Sequence, residues 1–173
     1  MSIAQSLLAE FEHEVPVTRR FLERLPEDKL AWKPHEKSMT AGELALHIAQ
    51  SPGQVARLAS EDVVPMPNFG QRPQPRSVKE VLQAFDECVA EVRRVLPSMD
   101  DTRIQGMWRA QRDGVDAFAM PRVIFLRNIM LNHWYQHRGQ FGVYLRLLNQ
   151  NVPASYGPSA DENPIPAAEP QPA

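Results

Sequence analysis

The sequence predicts an all-α fold, a four-helix bundle, with one short hairpin before the last helix. Three observations favour this fold: four segments place apolar residues at spacings of three and four, each segment begins with a helix-start signal, and most prolines lie between or after the segments. Amphipathic helices of this kind must bury their apolar faces against one another, and a bundle does so around a single core.

The first helix is predicted over residues 2–25. Ser2 and Gln5 have the spacing of a capping box, in which each side chain accepts a hydrogen bond from the backbone N–H of the other residue. Apolar side chains then follow at helical spacing. Pro16 should bend this helix, because proline removes one backbone donor.

The second helix is predicted over residues 40–60. It opens with a second capping box, formed by Thr40 and Glu43. Its inward face includes His47, and Pro52 should cause a bend about one turn later.

The third and fourth helices are predicted over residues 77–96 and 121–150. Ser77 begins the third at a capping position, and Pro121 is a favourable first residue for the fourth. The inward face of the fourth helix carries a seven-residue repeat that contains two histidines: Leu126, Met130, His133, His137, Phe141, Tyr144 and Leu148.

The connections between these helices are less regular. Residues 62–76 are predicted to form an open loop, because they are rich in proline and lack periodicity. Asp113 and Gly114 form a typical hairpin-turn dipeptide between two short apolar runs, which predicts the hairpin before the last helix.

Length and composition indicate one globular domain. The chain has 173 residues, and we expect residues 1–158 to form the bundle and residues 159–173 to form a tail rich in proline and alanine. The net charge is -2 with the basic residues scattered, which argues against a nucleic acid or an anionic membrane as partner. The single cysteine and the absence of a signal-like N-terminus predict a cytoplasmic protein.

Three histidines on the predicted inward faces suggest a metal site. His133 and His137 are four residues apart, so both rings leave one side of the helix one turn apart. His47 is the only other histidine on an inward face. Neutral imidazoles from facing helices are suitable ligands for a divalent ion with open coordination positions. The alternative is that the three rings are core histidines satisfied by hydrogen bonds.

Other polar residues are candidates for the surroundings of this site. Gln140 and Tyr144 follow His137 on the inward face, and either could line a pocket that binds a cofactor or could simply pack. Glu43 could orient His47, although closing the capping box explains it equally well. His13 and His35 are expected to be solvated.

The sequence resembles the DinB/YfiT-like family, named for a damage-inducible bacterial protein. Both predicted histidine segments carry the resemblance, which extends over nearly the whole chain. The matching stretches are Trp32-Lys33-Pro34, residues 39–49, residues 131–147 and residues 152–159.

The resemblance implies several properties beyond the residue patterns. It implies an up-down-down-up bundle that is often dimeric, and a metal, nickel or zinc, held by His47, His133 and His137. Related branches include transferases and isomerases that use the thiols bacillithiol, mycothiol or glutathione. A homodimer is therefore expected here, and Gly139 and Gly142 would let a second subunit approach the last helix.

Three functions are consistent with this reading. The first is a metal-dependent enzyme of thiol-transferase or hydrolase type that acts on a small molecule. The second is a non-catalytic, stress-related protein that binds a metal and a small ligand. The third is a helical dimer whose histidines are structural. Cys88 is not proposed as a nucleophile, because it falls on the buried face of the third predicted helix.

Overall fold

The computed structural model describes residues 1–68, 70 and 72–164. Four long helical stretches pack around one core, and a small sheet lies at one end of them. In chain order the elements are α1 (Ile3–Leu22), α2 (Ala41–Ala59), β1 (Val63–Pro65), α3 (Val78–Val95), α4 (Asp101–Gln105), β2 (Met107–Arg112), β3 (Val115–Pro121), α5 (Arg122–Phe125) and α6 (His133–Leu147).

Three of the four predicted helix starts are confirmed, whereas Pro121, the predicted first residue of the fourth helix, is the last residue of β3 and directly precedes α5. The Ser2 and Thr40 capping boxes are both complete, and the Thr40 backbone N–H donates to Glu43 Oε2 at 2.7 Å. Ser77 accepts a hydrogen bond from the backbone N–H of Glu80. Local hydrogen bonding therefore begins these helices where the sequence indicated.

The predicted all-α, up-down-down-up four-helix bundle is wrong as a description of the fold, because the structure contains a three-stranded mixed sheet. The predicted hairpin is present as β2 and β3, with Asp113 and Gly114 at positive φ. The first part of the predicted loop 62–76 is β1, which pairs in parallel with β2. A strand of three residues is too short to show a period, and its partner lies far along the chain.

Trp108 is one residue that joins the sheet to the helices. Trp108 of β2 is buried, stacks on Phe125 with ring centroids 3.8 Å apart, and donates from Nε1 to the Leu58 carbonyl at 3.0 Å. The end of α2, strand β2 and helix α5 therefore meet at one point. The outer face of β3 is exposed.

The last helical stretch is not uniform. A π-helical segment, Leu126–Asn132, separates α5 from α6. Within α6, Trp134 and Arg138 are almost completely buried, whereas His133 and His137 are only partly buried. The two histidines therefore lie at the edge of the buried face, where solvent can reach them.

Trp134 joins the helices beside the histidines. Its ring stacks on Phe11 of α1 with centroids 5.1 Å apart and lies 6.4 Å from the ring of Phe85 of α3. Its indole Nε1 donates to the Ile48 carbonyl of α2 at 3.0 Å. Because Trp134 follows His133 and Ile48 follows His47, this bond fixes α2 and α6 next to the candidate site.

Part of the predicted tail is folded against the domain. The Asp161 carboxylate accepts from the Val152 backbone N–H at 2.8 Å and pairs with Arg146, and Glu162 accepts from the Ala154 N–H at 3.0 Å. The boundary at residue 159 stays a prediction, and residues 165–173 lie outside the described part of the chain.

The two glycines used to predict a dimer differ in their surroundings. A side chain at Gly142 would come within 3.2 Å of Phe21, so this glycine already serves packing inside the chain. Gly139 has nothing within 4 Å that a side chain would meet. The homodimer stays a prediction, and only Gly139 is open to an outside contact.

Among the described helices, none is both long enough and apolar enough to cross a lipid bilayer.

Candidate metal centre

The structure brings His47, His133 and His137 together. One ring nitrogen from each lies within 4.8 Å of the other two. The closest pair is His133 Nε2 and His137 Nε2, which are 3.0 Å apart. Three imidazole nitrogens thus point into one small space between α2 and α6, and together they could hold a metal ion.

The orientation of the rings is suited to shared coordination. Their centroids are 4.4–5.1 Å apart, and each pair of ring planes is perpendicular within a degree. Parallel stacked rings would direct their lone pairs alongside one another, whereas perpendicular rings can direct them to a common point.

The spacing also fits a bound ion. Two nitrogens at roughly 2.1 Å from one ion, and about a right angle apart, would be separated by about 3.0 Å. His133 Nε2 and His137 Nε2 have this separation. Within residues 1–68, 70 and 72–164, no other group of three or more His, Cys, Asp or Glu side chains is arranged so closely.

Gln140 determines which nitrogen of the His137 ring carries the proton. Its Oε1 lies 2.9 Å from His137 Nδ1, and because an amide oxygen can only accept, the ring proton is assigned to Nδ1. The Nε2 lone pair of His137 then faces the other two histidines. His133 Nδ1 is buried without a hydrogen-bond partner in the described structure.

Burial favours the uncharged form, which is the form that binds metal, in two of the three histidines. Burial, together with the neighbouring charges of His137, His133 and Arg72, lowers the pKa of His47 to about 4. Burial and the neighbouring His137 also lower the pKa of His133. Neutral imidazole is the ligand form of histidine, so a metal does not need to displace a proton from these two rings near pH 7.

The two predicted pocket residues lie in different settings. Gln140 contacts a triad ring, as described. Tyr144 is buried, its hydroxyl donates to the Met39 carbonyl at 3.2 Å, and its ring meets the Trp32 ring edge-on with centroids 5.7 Å apart. Cofactor binding by either residue stays a prediction.

The remaining candidates lie outside the triad. Glu43 closes the Thr40 capping box, and His13 and His35 are exposed. Cys88 is buried, and its Sγ accepts from the Gly53 backbone N–H at 3.1 Å. Because burial raises the pKa of the Cys88 thiol to about 12, this residue is not a nucleophile near neutral pH.

Arg72 is the residue that sequence reasoning missed. It belongs to the predicted open loop, where no periodicity marks individual positions. Its charge acts on His47, so the loop that follows β1 contributes to the electrostatics of the triad.

Comparison with known proteins places the fold in a family. Residues 10–141 match the DinB superfamily, a range that includes all three histidines. No curated protein sequence matches the chain.

Two solved structures show the same fold. A DinB-like protein from Bacillus cereus is 23% identical, with a TM-score of 0.69 over 88% of this chain and 97% of that one. A DinB-like protein from Bacillus subtilis is 19% identical, with a TM-score of 0.67 over 87% of this chain and 96% of that one. The chain belongs to the DinB superfamily.

Proposed function

We propose that this member of the DinB superfamily is a metal-dependent enzyme that acts on a small molecule by thiol transfer or hydrolysis. His47, His133 and His137 would hold one divalent ion, nickel or zinc. The observation that carries the proposal is the convergence of three imidazole nitrogens within 4.8 Å, without a protein carboxylate or thiolate in the group.

The donor set determines what the site can do. Neutral ligands leave the charge of a divalent ion undiminished, and three of them leave coordination positions for water or substrate. When bound there, such an ion supplies Lewis acidity, which lowers the pKa of a water or thiol.

The residues around the triad would hold it in place. Gln140 keeps the proton of His137 on Nδ1, so that Nε2 stays an acceptor. Trp134 supports the triad from the buried side and holds α6 on α2. The partial exposure of all three histidines leaves an approach from solvent.

The nucleophile would have to come from outside the protein. Cys88 is buried in the contact between α2 and α3, and its thiol is protonated near neutral pH. A small thiol or a water molecule would fill the role. The family resemblance favours a thiol such as bacillithiol, mycothiol or glutathione, and hydrolysis fits the same donor set.

Metal content is the first test. The wild-type protein should retain close to one equivalent of nickel or zinc after dialysis, measured by elemental analysis. His133→Ala should lose it and change the free energy of unfolding by only about 1 kcal/mol, because this ring is partly exposed. His13→Ala is the matched control: it removes an exposed histidine of α1 and should leave metal content unchanged. Equal metal content in wild type and His133→Ala would refute the proposal.

Activity is the second test. Nickel- and zinc-loaded protein is assayed with each of the three thiols against a panel of electrophiles, and with ester and amide substrates without thiol. Turnover that disappears in His133→Ala and persists in His13→Ala supports the proposal. Metal binding without turnover in any assay would instead favour the non-catalytic binding protein.

A further inference from the structure

The proline inside α2 leaves one backbone carbonyl without its usual helical partner. In a regular α-helix the carbonyl of Ile48 would accept from the backbone N–H of the residue four positions later. That residue is Pro52, which has no N–H and whose ring crowds the carbonyl. Ile48 and Pro52 are both buried, so water does not replace the missing donor. A carbonyl left unpaired at this depth would be costly.

Trp134 supplies the missing donor from another helix. Its fully buried indole donates from Nε1 to the Ile48 carbonyl at 3.0 Å. In the described part of the chain, no other hydrogen bond joins a residue of α2 to a residue of α6. The carbonyl that Pro52 leaves unpaired within α2 is thus paired from α6, and the two helices are held together at that point.

This bond lies next to two of the candidate metal ligands. Ile48 directly follows His47, and Trp134 directly follows His133. Helix geometry fixes His133 relative to His137, because both are on α6, but it does not fix either of them relative to His47 on α2. Ligand distances in a metal site must hold to within about 0.2 Å. The position of α2 against α6 therefore decides whether the third imidazole can reach the ion.

We propose that Pro52 and Trp134 are positioning residues of the metal centre. Because Pro52 has no N–H, the Ile48 carbonyl is free for the Trp134 indole, and the resulting bond sets the position of His47 relative to the two histidines of α6. Neither positioning residue touches the ion or the substrate. This inference rests on the proposed metal centre.

The chain contains a matched control for this bond. Trp108 Nε1 donates to the carbonyl of Leu58, which is also a residue of α2, at 3.0 Å. Trp108 and Trp134 are both buried, and each stacks on a phenylalanine ring. Leu58 lies about 15 Å further along the helix axis than Ile48. A Trp→Phe change at either position removes the same kind of donor, but only position 134 adjoins the triad.

The first test is a double-mutant cycle on the Tm of the metal-free protein. Trp134→Phe leaves the Ile48 carbonyl unpaired and should lower the Tm by about 5 °C. Pro52→Ala restores a backbone N–H that can pair with this carbonyl, so Trp134→Phe should cost only about half as much in that background. The lost ring volume affects both backgrounds alike and cancels in the cycle. Equal losses in the two backgrounds would overturn the inference.

The second test is zinc affinity, measured by competition with a chromophoric chelator. Trp134→Phe should weaken zinc binding about tenfold, whereas Trp108→Phe should lower the Tm and keep the wild-type zinc affinity. The variant that combines Pro52→Ala with Trp134→Phe should regain thermal stability without regaining zinc affinity, because its Ile48 carbonyl is paired within α2 and no bond holds α6. A merely structural role would instead make zinc affinity follow stability in every variant.

The outcomes separate this inference from the metal proposal. Wild-type zinc affinity in Trp134→Phe, an equal loss of affinity in Trp108→Phe, or recovered affinity in the combined variant would each overturn this inference and leave the metal proposal standing. A wild-type protein that binds neither zinc nor nickel would overturn the metal proposal, and this inference with it.

Discussion

Two neighbouring faces of α6 treat polar groups in opposite ways. One face presents His133 and His137, which are partly exposed, and His133 Nδ1 is buried without a hydrogen-bond partner among the described residues. The other buries Arg138, whose guanidinium pairs with Glu14 at 2.5 Å and donates to Thr18 Oγ1 at 3.1 Å. Since Arg138 directly follows His137, one helix turn carries both arrangements.

The two faces therefore have different roles: the Arg138 face stabilises the fold, whereas the histidine face could bind a ligand. The Arg138–Glu14 pair is buried on both sides, and the rings of Tyr135 and Tyr156 lie 5.5 and 5.2 Å from the guanidinium. Its polar atoms are satisfied within the protein, so this face joins α6 to α1 and offers nothing to a ligand. In the triad, the ring nitrogens face one another and no carboxylate is grouped with them, so an ion from outside could bind between them.

The largest expected effect on stability comes from removing the buried Arg138–Glu14 ion pair. Arg138→Met leaves the Glu14 carboxylate buried and unpaired, which should lower the free energy of unfolding by about 3–5 kcal/mol. Urea denaturation measures this loss. The metal content of the folded fraction should stay at the wild-type level, because Arg138 does not face the triad. A destabilisation below about 1 kcal/mol would show that the two faces do not differ as described.

The second expected effect concerns the hydrogen bond between Gln140 and His137 on the triad face. Gln140→Ala removes the acceptor that holds His137 in its binding tautomer and should weaken metal affinity about tenfold. Competition with a chromophoric chelator measures the affinity. Gln136→Ala, one turn earlier on the exposed surface of α6, is the matched control. If both variants keep wild-type affinity, the hydrogen bond between Gln140 and His137 has no part in metal binding.

The smallest effect is a pH dependence of the metal-free protein. The pKa of His47 in the folded state, about 4, lies below its ordinary value of 6.5. The unfolded chain therefore takes up a proton at a higher pH than the folded chain. The contribution of His47 to the free energy of unfolding should be fully present above pH 6.5, should fall as the pH drops toward 4, and should be constant below pH 4. Partial exposure of the ring limits the size of this change, because solvent screens it.

Urea midpoints of metal-free protein between pH 4 and 7.5 test this expectation. His47→Leu should show a flatter profile over the same range, and His13→Ala should follow the wild type. A wild-type profile that rises as the pH falls would contradict the assigned direction.

The histidines could be predicted from sequence because their geometry is local. A four-residue spacing fixes the relative direction of His133 and His137 whatever surrounds them. The capping box at Thr40 likewise depends on four consecutive residues and defines the helix that carries His47. The predicted grouping of these three residues agrees with the structure.

Features that depend on distant partners could not be predicted in this way. Strand β1 exists because β2 pairs with it, and three residues carry no readable period. The π-helical segment Leu126–Asn132 could not be predicted, because the four-residue spacing of Leu126 and Met130 is also the spacing of an α-helix. The buried partner of Arg138 is Glu14 of α1, and no residue near Arg138 in the sequence indicates this pairing. The loop after β1 is held by Gln74, which bonds to Thr40 and to the Leu30 carbonyl, residues more than thirty positions earlier in the chain.

The indole of Trp134 gives this protein an optical reporter beside the triad. Trp134 directly follows His133 in the chain, and its indole Nε1 donates to the carbonyl of Ile48, the residue after His47. The other two tryptophans are placed elsewhere, Trp32 against Tyr144 and Trp108 against Phe125. A paramagnetic ion between the histidines would quench Trp134 emission at short range, whereas a closed-shell ion would leave it bright. The fluorescence of the folded protein would therefore distinguish the two kinds of ion when either is added to the metal-free protein, without any added dye.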